Sequence, residues 1–371
     1  MKEYETMENK FGVNYNVHTF YYPWYGNPKF DNGSYFHWNH NILGVPGGET
    51  RRYQPPDDIG SSFYPKLGCY SSRDPSVLDQ HFEWIRSGGI GTVVVSWYPP
   101  SQSTDQGHTW DDLMPSIFDA AHRHGLKITF HIEPYKDRDT GTLRRHVSYI
   151  VDKYGSHPAF YRHRHRPGAR PKPIFYIYDS YLIADSEWRT LLRPGGKRSI
   201  RQTSLDSYFI GLLVNNHEKV TLPSAGFDGF YTYFAADGFS FGSSWKNWKL
   251  LSHSAKRNNM IFIPCLGPGY IDKTVRPWNT KNTHARGLNG DYYKDSWRMV
   301  LDANVDVVGI TSFNEWHEGT QIEPAVPHTS ASRVYLDYSP LEPTSYLNIT
   351  RLMVLQFHQQ SKRRRHQAIS Q

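Results

Sequence analysis

The segment Asp306–Pro324 constrains the fold of this chain more than any other stretch of the sequence. It begins with the apolar, β-branched run Val307–Thr311, which is typical of a strand that is buried on both faces. Residues that are costly to bury follow within a few positions, namely Asn314, Glu315, Trp316, His317 and Glu318. Ligands of parallel sheets bind at the edge where the strands end. The segment therefore predicts a buried strand of a parallel sheet with a functional site at its carboxyl end.

Glu315 and Glu318 are the candidate catalytic residues of this segment. Gly319 allows the backbone to bend sharply after Glu318, so the two carboxyl groups can face one cavity although strand alternation alone would separate them. Two carboxyl groups that share a pocket can acquire different pKa values, which provides an acid and a base at the same pH. Glu-x-x-Glu pairs are also common on solvated helix faces, but a position directly after a buried strand favours catalysis.

Short apolar runs alternate with helix-like patterns along most of the chain. Eight runs predict strands: His18–Tyr22, Thr92–Trp97, Lys127–His131, Ile174–Asp179, Phe209–Val214, Gly229–Tyr233, Ile261–Cys265 and Val307–Phe313. Six patterns predict helices: Val77–Ser87, Met114–His124, Leu143–Tyr154, Ser186–Leu192, Trp245–Asn258 and Tyr292–Ala303. This alternation over 371 residues predicts an α/β fold, a single (β/α)8 barrel of the TIM type. A doubly wound sheet is the alternative, but no glycine-rich phosphate loop follows the first strand.

The predicted barrel occupies residues 14–360, between a polar N-terminal extension (1–13) and a basic C-terminal tail (361–371). The connection from Gly26 to Pro75 is longer than most loops and is rich in Gly, Pro and Asp. In a barrel this insertion lies above the first strand, so we expect long βα loops on the active face. We expect the last residues, Ser361–Gln371, to form a frayed polar tail.

The formal net charge of +7 is concentrated in two short segments. Arg162–Lys172 contains five Lys or Arg residues and no acid, and Lys362–Arg365 contains four more, which leaves the rest of the chain at −2. Neither segment has interleaved aromatic residues or belongs to a nucleic-acid-binding module. The sequence therefore predicts solvated basic surface and no nucleic-acid partner, and it gives no functional account of the basic loop.

Cysteine usage and hydropathy exclude several other classes of protein. Cys69 and Cys265 lie in unrelated contexts, so neither a disulfide framework nor a zinc site is expected. No apolar run approaches the roughly 18 residues of a membrane span, and the first ten residues, MKEYETMENK, are too polar for a signal peptide. We expect a protein that is soluble where it is made, or a chain without its upstream targeting segment.

Aromatic and polar side chains gather where the predicted strands end. The aromatic fraction is 15% although the mean hydropathy is −0.66, so the aromatic residues accompany a polar surface. Flat rings pack against the C–H faces of pyranoses, and Asp, Glu and Asn bind hydroxyl groups. The rim therefore predicts a sugar-binding cleft, with a tyrosine-rich core as the alternative. The candidate substrate-binding residues are Tyr22, Trp97, Tyr98, Glu133, Tyr178, Asp179, Tyr233, Tyr270, Asn314 and Trp316.

Metal ligation is the main alternative role for several residues of this rim. Three pairs could each donate to a cation: His131 with Glu133, His37 with His40, and His317 with Glu318. No HExxH motif or Asp-rich loop accompanies them, and hydrogen-bonded support of the rim is the simpler role for the histidines. No G-x-S-x-G motif occurs, which disfavours a serine hydrolase. The sequence therefore predicts catalysis on a sugar by side chains alone, with no metal and no cofactor.

A series of motifs between about Phe20 and Tyr338 resembles glycoside hydrolase family 99. In order, these motifs are FYYPWYGNP, HWNH, PPDDIGSSFYP, YSSRDPSV, SWYPP, FHIEPY, HPAFYR, FYIYDSY, GFDGFYTYFA, IPCLGPGYID, RPWN and ITSFNEWHEGTQIEPAVP. The resemblance implies a (β/α)8 barrel that cleaves inside the glucosylated arm of high-mannose N-glycans on glycoproteins. It implies release of glucosyl-α-1,3-mannose, independence from metal and retention of the anomeric configuration. The animal members are endo-α-1,2-mannosidases of the Golgi, so the resemblance also implies the Golgi lumen.

The same resemblance implies roles for particular residues. Glu315 matches the residue that deprotonates the mannose 2-hydroxyl, which then attacks C1 and forms a 1,2-anhydro sugar. Glu318 matches the general acid that protonates the departing oxygen and later activates water. Glu133 and Tyr178–Asp179 match ligands of the cleaved mannose, and Trp97–Tyr98 match packing for the glucose beyond it. Direct attack by a carboxylate, as in ordinary retaining glycosidases, is the alternative.

Two further functions remain open at the level of sequence. One is an endo-α-1,2-mannanase that acts on unglucosylated mannan, a choice that depends on the residues around Tyr98. The other is a lectin-like protein that binds the glycan without cleaving it, against which the intact NEWHEGTQIE motif argues. Animal family members usually carry a cytoplasmic tail, one membrane span and a stem before the barrel. No such segment is visible here, so membrane contact is expected only through an anchor absent from this chain.

Overall fold

Parallel strands form the centre of the computed structural model, which describes residues 12–44, 52–100, 102, 108–166 and 168–369. In chain order these strands are β1 (Asn14–Tyr21), β2 (Ile90–Trp97), β3 (Lys127–Ile132), β4 (Lys172–Ile177), β5 (Tyr208–Leu212), β6 (Gly229–Tyr231), β7 (Ile261–Ile263 and Cys265–Leu266) and β8 (Val308–Ile310). A further two-residue strand, Arg162–His163, pairs antiparallel with the start of β4. All eight predicted strands are present near their predicted positions.

The barrel closes through β7, which has two segments on either side of Pro264. Its first segment, Ile261–Ile263, pairs with β6, and its second, Cys265–Leu266, pairs with β8. The strand order is therefore β7–β6–β5–β4–β3–β2–β1–β8–β7, with every neighbour parallel. This order confirms the predicted (β/α)8 barrel, and it places the polar ends of all strands on one face.

Helices cover the outside of the barrel in the described residues. They are α1 (Pro75–Ser87), α2 (Met114–Arg123), α3 (Thr140–Tyr154), α4 (Asp185–Leu192), α5 (Glu218–Ala225), α6 (Trp248–Arg257), α7 (Asp291–Ala303) and α8 (Ser345–Ile369). Each of the six predicted helices is present within a few residues of its predicted bounds. Of these described helices, none combines the length and the apolar composition that crossing a membrane requires.

Capping residues explain where several of these helices begin. The side chain of Asp74 accepts a hydrogen bond from the backbone N–H of Ser76 at 2.9 Å, and Pro75 occupies the first turn of α1. At the start of α3, Asp139 and Thr142 form a reciprocal capping box. These caps satisfy backbone N–H groups that a helix start leaves without partners, and they fix where both helices begin.

Two features of the helical layer differ from the sequence predictions. Helix α5 has no predicted counterpart, because it is short and contains Pro223, which normally ends a helix. Helix α8 also has no predicted counterpart, and it continues to Ile369, so residues 361–369, which we expected to fray, are helical. A polar composition alone therefore did not distinguish an exposed helix end from a tail.

Aromatic rings fill the interior of the barrel. Phe20 contacts the rings of His131, Tyr176 and Tyr231, with centroid distances of 5.0 to 5.9 Å. Two residues before Phe20 in β1, Nδ1 of His18 lies 2.6 Å from the hydroxyl of Tyr176. These buried polar atoms have partners, so the interior is a packed core rather than a channel. Some of the many tyrosines therefore belong to the core of the barrel, which is the alternative to a sugar-binding role that the composition left open.

The insertion between β1 and α1 folds back over the carboxyl end of the barrel. Its anchor is Trp38, which is fully buried, donates from Nε1 to the carbonyl of Tyr70 at 2.8 Å and stacks on Tyr25. This packing holds Trp24, His37 and His40 beside the end of β8. Residues 45–51 of the insertion lie outside the described residues.

Candidate active site

Two adjoining cavities lie at the carboxyl end of the barrel. The first, the carboxylate cavity, has a volume of about 220 Å³ and is lined by Tyr22, Trp24, His37, His40, Tyr98, His131, Glu133, Tyr178, Tyr233, Val275, Arg276, Glu315, His317 and Glu318. The second, the aromatic cavity, has a volume of about 320 Å³ and is lined by Tyr178, Phe234, Ala236, Phe239, Tyr270, Arg276, Trp278, Asn279, Asn282 and Glu318. Tyr178, Arg276 and Glu318 line both, so they form the boundary between the two cavities.

The loop after β8 brings both glutamates to the carboxylate cavity. The backbone N–H of Thr320 donates to the carbonyl of Glu315, and that of Gly319 donates to the carbonyl of Trp316. Gly319 has a φ of 62°, and a Cβ atom there would lie 2.8 Å from the carbonyl oxygen of Ile271. A glycine is therefore required for the turn, as the sequence predicted, and the turn places Glu315 and Glu318 on one side.

The two carboxyl groups have different electrostatic surroundings. Burial, together with the nearby charge of Glu318, raises the pKa of Glu315 well above its usual range. Burial also raises the pKa of Glu318, but Arg276 opposes this shift by stabilising the ionised carboxylate. Nη1 of Arg276 lies 3.5 Å from Oε1 of Glu318. Arg276 therefore favours the ionised form of Glu318, and the charge of Glu318 in turn favours the protonated form of Glu315.

Arg276 is itself held by a small polar network at the boundary of the cavities. Its Nη1 lies 3.4 Å from Oδ2 of Asp272, which also accepts hydrogen bonds from the Tyr270 hydroxyl and from Nδ2 of Asn279, both at 2.9 Å. Asp272 is fully buried, so its partners are needed to offset the cost of burying its charge. The network fixes the guanidinium beside Glu318.

The buried carboxylate of Glu323 holds the loop after β8 in place. Glu323 accepts hydrogen bonds from the Tyr70 hydroxyl at 2.8 Å and from Nε1 of Trp316 at 2.9 Å, and Nε2 of His81 lies 3.2 Å from its other oxygen. Asn314 exchanges two hydrogen bonds with the backbone of Tyr22, at 2.8 and 2.9 Å. These contacts fix the backbone on both sides of Glu315, so the catalytic candidates sit on a rigid support.

Arg286 holds the same loop from its far side. Its Nη2 donates to the carbonyls of Gly319 and Gln321 at 2.9 and 2.7 Å. The guanidinium is buried among the rings of Phe63, Tyr338 and Tyr346, whose centroids lie 4.6 to 4.8 Å away. It therefore restrains the turn that carries Glu318 without lining either cavity.

The opposite wall of the carboxylate cavity is built from β3 and its neighbours. Oε1 of Glu133 accepts from Oγ of Ser96 at 2.7 Å and lies 3.1 Å from Nδ1 of His131. The other ring nitrogen of His131 lies 2.8 Å from the hydroxyl of Tyr231. Because these bonds occupy Oε1 of Glu133, Oε2 is available for a ligand. His131 thus holds Glu133 by a hydrogen bond, which is the supporting role that the sequence analysis favoured over metal ligation.

Unpartnered polar atoms face each other where the insertion meets the loop after β8. In the described residues, Nε1 of Trp24, both ring nitrogens of His37 and Nε2 of His317 are buried without a hydrogen-bond partner. The ring planes of Trp24 and His37 are stacked, with centroids 4.4 Å apart. Burial lowers the pKa of His37 and of His317 well below the usual range, so both imidazoles are neutral. Neutral imidazoles both donate and accept, which suits sugar hydroxyl groups.

The structure brings most of the predicted substrate-binding residues to the two cavities, but not all of them. Tyr22, Tyr98, Glu133, Tyr178 and Tyr233 line the carboxylate cavity, and Tyr270 lines the aromatic cavity. Asp179, Trp97, Asn314 and Trp316 line neither.

Strand alternation explains why Trp97 is outside the cavities. The preceding residue, Ser96, points inward to Glu133, so Trp97 points outward, where its Nε1 donates to Asp111 at 2.9 Å and its ring stacks on Tyr149. Asn314 and Trp316 are also fully buried, because their polar atoms bond to the support under the loop. The predicted sugar contacts of these three residues do not fit this placement.

Asp179 is turned away from the cavities by its backbone conformation. It has a φ of 47°, and its Oδ1 accepts from the Tyr181 hydroxyl at 2.7 Å. Burial, with the nearby charge of Glu133, raises the pKa of its carboxyl. Arg138 donates to the carbonyls of Tyr178 and Asp179, which fixes this turn. Asp179 therefore lies outside the lining of both cavities, with its carboxyl bonded to Tyr181.

Several lining residues were absent from the predicted site. The main ones are Arg276, Val275 and Trp278, which follow β7, and Trp24, His37 and His40, which come from the insertion. Trp24 and the two histidines had sequence signals, since they lie in aromatic and HWNH motifs after the first strand. Arg276 had only its place in the RPWN motif. In the described residues, no group of three His, Cys, Asp or Glu side chains is placed to hold a metal ion.

Comparisons with known proteins agree with this geometry. The model of glycosyl hydrolase family 99 matches residues 12–359. The chain is 53% identical over 348 residues to a glycoprotein endo-alpha-1,2-mannosidase of Rattus norvegicus, an alignment that covers 91% of this chain and 74% of the relative. It is 50% identical over 344 residues to a glycoprotein endo-alpha-1,2-mannosidase-like protein of Homo sapiens, with 91% and 74% covered.

A solved structure extends the similarity to the fold. The structure of the GH99 endo-alpha-mannosidase from Bacteroides thetaiotaomicron matches with a TM-score of 0.87 and 43% sequence identity, over 94% of this chain and 99% of the other. The family match, the close relatives and the barrel agree with one another. This chain belongs to glycosyl hydrolase family 99 and is a glycoside hydrolase.

Proposed function

We propose that this hydrolase is a retaining endo-α-1,2-mannosidase that cleaves glucosylated high-mannose N-glycans and releases glucosyl-α-1,3-mannose. The observation that carries the proposal is the placement of the two glutamates. Glu315 lines the carboxylate cavity only, whereas Glu318 lies on the boundary between the two cavities. An internal glycosidic bond has a sugar on each side, so its bridging oxygen would lie beside Glu318. That is where an acid for the leaving group is needed.

The proposed reaction has two steps. In the first, Glu315 removes the proton of the mannose 2-hydroxyl, O2 attacks C1, and Glu318 protonates the departing oxygen, which yields a 1,2-anhydromannose. In the second, Glu318 removes a proton from water, the water oxygen opens the epoxide at C1, and O2 recovers its proton from Glu315. Two inversions at C1 retain the configuration. O2 lies beside C1 in the same ring, so the attack has the advantage of an intramolecular nucleophile.

This assignment requires the proton to move before the first step. Arg276 instead favours the ionised form of Glu318, whose charge raises the pKa of Glu315. The contact between Arg276 and Glu318 is long, at 3.5 Å, and Arg276 is half-buried, so a sugar that enters the boundary can separate the two. We propose that this separation moves the proton to Glu318 and leaves Glu315 as the base.

The lining of each cavity supports the orientation of the glycan. The carboxylate cavity has the smaller volume and the neutral, unpartnered polar atoms of Trp24, His37 and His317, which suit the hydroxyl groups of the cleaved mannose and its glucose. In the aromatic cavity, Phe239 and Trp278 are exposed and offer ring faces to the mannose core that departs. The proposal places the reaction in the Golgi lumen, the compartment of the animal family members.

The test is incubation of the purified chain with a monoglucosylated high-mannose glycan, followed by mass analysis of the products. We expect a released disaccharide of one glucose and one mannose from the wild type and none from Glu318→Gln. Glu83→Gln, a substitution of an exposed glutamate on α1, serves as the matched control. Faster cleavage of unglucosylated α-1,2-linked mannan would replace the proposal with a mannanase. Saturable binding without any product would replace it with a lectin.

A further inference from the structure

The two basic segments of the chain both lie beside the residues that precede β8, at the amino-terminal end of the barrel and opposite the active site. The first forms a hairpin, in which Arg162–His163 pairs with the start of β4. The second is the end of α8, where Arg364 donates to Oδ1 of Asn304 at 2.6 Å and to the carbonyl of Val305 at 2.7 Å. Asn304 and Val305 immediately precede β8, so the fold joins two segments that are far apart in the sequence.

A cavity of about 460 Å³, larger than either active-site cavity, lies beside the hairpin and residues 305–307, which lead into β8. It is lined by Asn16, His163, Arg164, His165, Arg166, Ser252, Ala255, Lys256, Met260, Ile261, Phe262, Val305, Asp306 and Val307. Asp306 is the one acid among the described lining residues, and its carboxylate lies 3.5 Å from Nη2 of Arg364. The lining therefore has an excess of positive charge.

Acids that lie near this end of the barrel are already paired with other cations. Asp206 lies 2.6 Å from Nζ of Lys172 and 3.2 Å from Arg201, and Asp228 lies 2.8 Å from Arg201. By contrast, the side chains of Arg162, Arg164, Arg166, Arg170, Lys362 and Arg363 are exposed. This end of the molecule therefore presents a basic concavity to solvent, which attracts polyanions over about a Debye length.

We propose that this concavity binds a sulfated polysaccharide. Guanidinium groups bind tetrahedral oxyanions through paired N–H donors, and arginines dominate the exposed cations of this surface. Because Arg164, Arg166 and Lys256 line a hollow, a thin chain with sulfate groups can reach them better than a flat bilayer can. Phe262 is the aromatic residue among the described lining residues, and it is buried, so no stacking platform for nucleic-acid bases is present.

The location makes this site independent of the hydrolase reaction. The concavity is at the amino ends of the strands, whereas the carboxylate and aromatic cavities are at the carboxyl ends. A sulfated chain at one end leaves the other open to the glycan substrate. Binding and turnover are therefore measured separately, and neither result depends on the proposed substrate.

The test uses a heparin oligosaccharide of defined length as the probe, with calorimetric titration at several salt concentrations. The test variant combines Arg164→Ala, Arg166→Ala and Lys256→Ala, which are exposed residues that line the cavity, and the matched control combines Lys29→Ala, Lys66→Ala and Lys246→Ala. The control residues are also exposed, but they lie in the connections between strands and helices at the active end of the barrel. We expect the test variant to lose affinity by on the order of tenfold, with a shallower salt dependence, because fewer counterions are released. The control and the wild type should bind alike.

Three outcomes would overturn the proposal. Equal loss in the test and control variants would show attraction to net charge without a site. Equal binding of desulfated heparin would show that sulfate groups are not recognised. Tighter binding to vesicles with anionic phospholipid, or to duplex DNA, than to heparin at the same salt concentration would assign the surface to a membrane or a nucleic acid. Circular dichroism and turnover of each variant confirm that the fold is intact.

Discussion

The two ends of the barrel use charge in opposite ways. At the carboxyl end, Glu315 and Glu318 share a cavity with tyrosines and neutral histidines, and burial raises the pKa of both carboxyl groups. At the amino end, Arg164 and Arg166 are exposed beside a wider cavity, and the acids near them are paired elsewhere. One end buries a few charges with precise partners, and the other leaves many charges in water.

The difference teaches which physical effect each end can use. A buried carboxyl is destabilised in its charged form, so a neighbouring group can move its proton, which is what catalysis needs. An exposed guanidinium stays charged at every ordinary pH and acts through a field that salt screens. Substitutions at the carboxyl end should therefore change chemistry and its pH dependence. Substitutions at the amino end should change attraction to polyanions and leave chemistry alone.

The largest effects are expected from substitutions of the two glutamates, and these effects show which glutamate is the acid and which is the base. Glu315→Gln and Glu318→Gln should each lower kcat on the glycan by about 10²- to 10⁴-fold, because a positioned proton carrier is lost. With glucosyl-mannosyl fluoride, whose leaving group needs little protonation, the initial release of fluoride should recover in Glu318→Gln only. The measurement is rapid fluoride detection, with the wild type as reference. Recovery in Glu315→Gln instead would exchange the two roles.

A smaller effect, about tenfold or more in kcat, is expected for Arg276→Gln, since a cation beside the acid is removed. The sign of the pH effect follows from the contact. Arg276 lowers the pKa of Glu318, so its loss raises that pKa, and the limb of the pH–rate profile where the acid loses its proton moves to higher pH.

Arg276→Lys keeps the positive charge and is the matched control for this prediction. In this variant the limb of the pH–rate profile where the acid loses its proton should stay closer to its wild-type position, because a lysine can still stabilise the ionised carboxylate of Glu318. The measurement is kcat/KM across the full pH range for all three proteins. A limb that moves to lower pH in Arg276→Gln would contradict the electrostatic role of this residue.

A few-fold loss of activity with a clear loss of stability is expected for Arg286→Met. The substitution removes the donor to the carbonyl of Gly319 and one of the two donors to the carbonyl of Gln321, at a cost of roughly 1–3 kcal/mol for a group that is left unsatisfied. Loosening of the loop should lower kcat more than it raises KM, because Arg286 lines neither cavity. Chemical denaturation and steady-state kinetics measure the two effects. Arg286→Lys should restore part of both, which an effect of side-chain volume alone would not explain.

The smallest effect is expected at the other end of the barrel. Arg164→Ala removes a full charge from the chain, yet kcat and KM on the glycan should change by less than about twofold, and the free energy of unfolding by about 0.5 kcal/mol or less. The residue is exposed and far from both active-site cavities. A change in turnover as large as that of Arg276→Gln would show that the two ends are coupled, and the comparison would fail.

The sequence predicted the scaffold better than the walls of the site. All eight strands were placed from short apolar runs, and Gly319 correctly indicated the turn that joins Glu315 to Glu318. Trp97 was expected at the rim of the cleft, but its side chain points to the outside of the barrel. A shift of one residue along a strand moves a side chain to the opposite face of the sheet, so a position near the strand end did not by itself predict a contact with the cavity. Arg276 was missed because it comes from a different βα loop than the glutamate it contacts.

The sequence by itself predicted the eight strands, six of the described helices and the turn after β8, because these depend on residues close together in the chain. It also carried the motifs that place the chain in its family. Only the tertiary structure decided which carboxyl group has a cation beside it and how the insertion closes the carboxylate cavity. It also brought the basic hairpin and the end of α8 to the same residues before β8. These arrangements depend on burial and on distances between segments that are far apart in the sequence. A pattern along the chain gives neither the burial nor the distances.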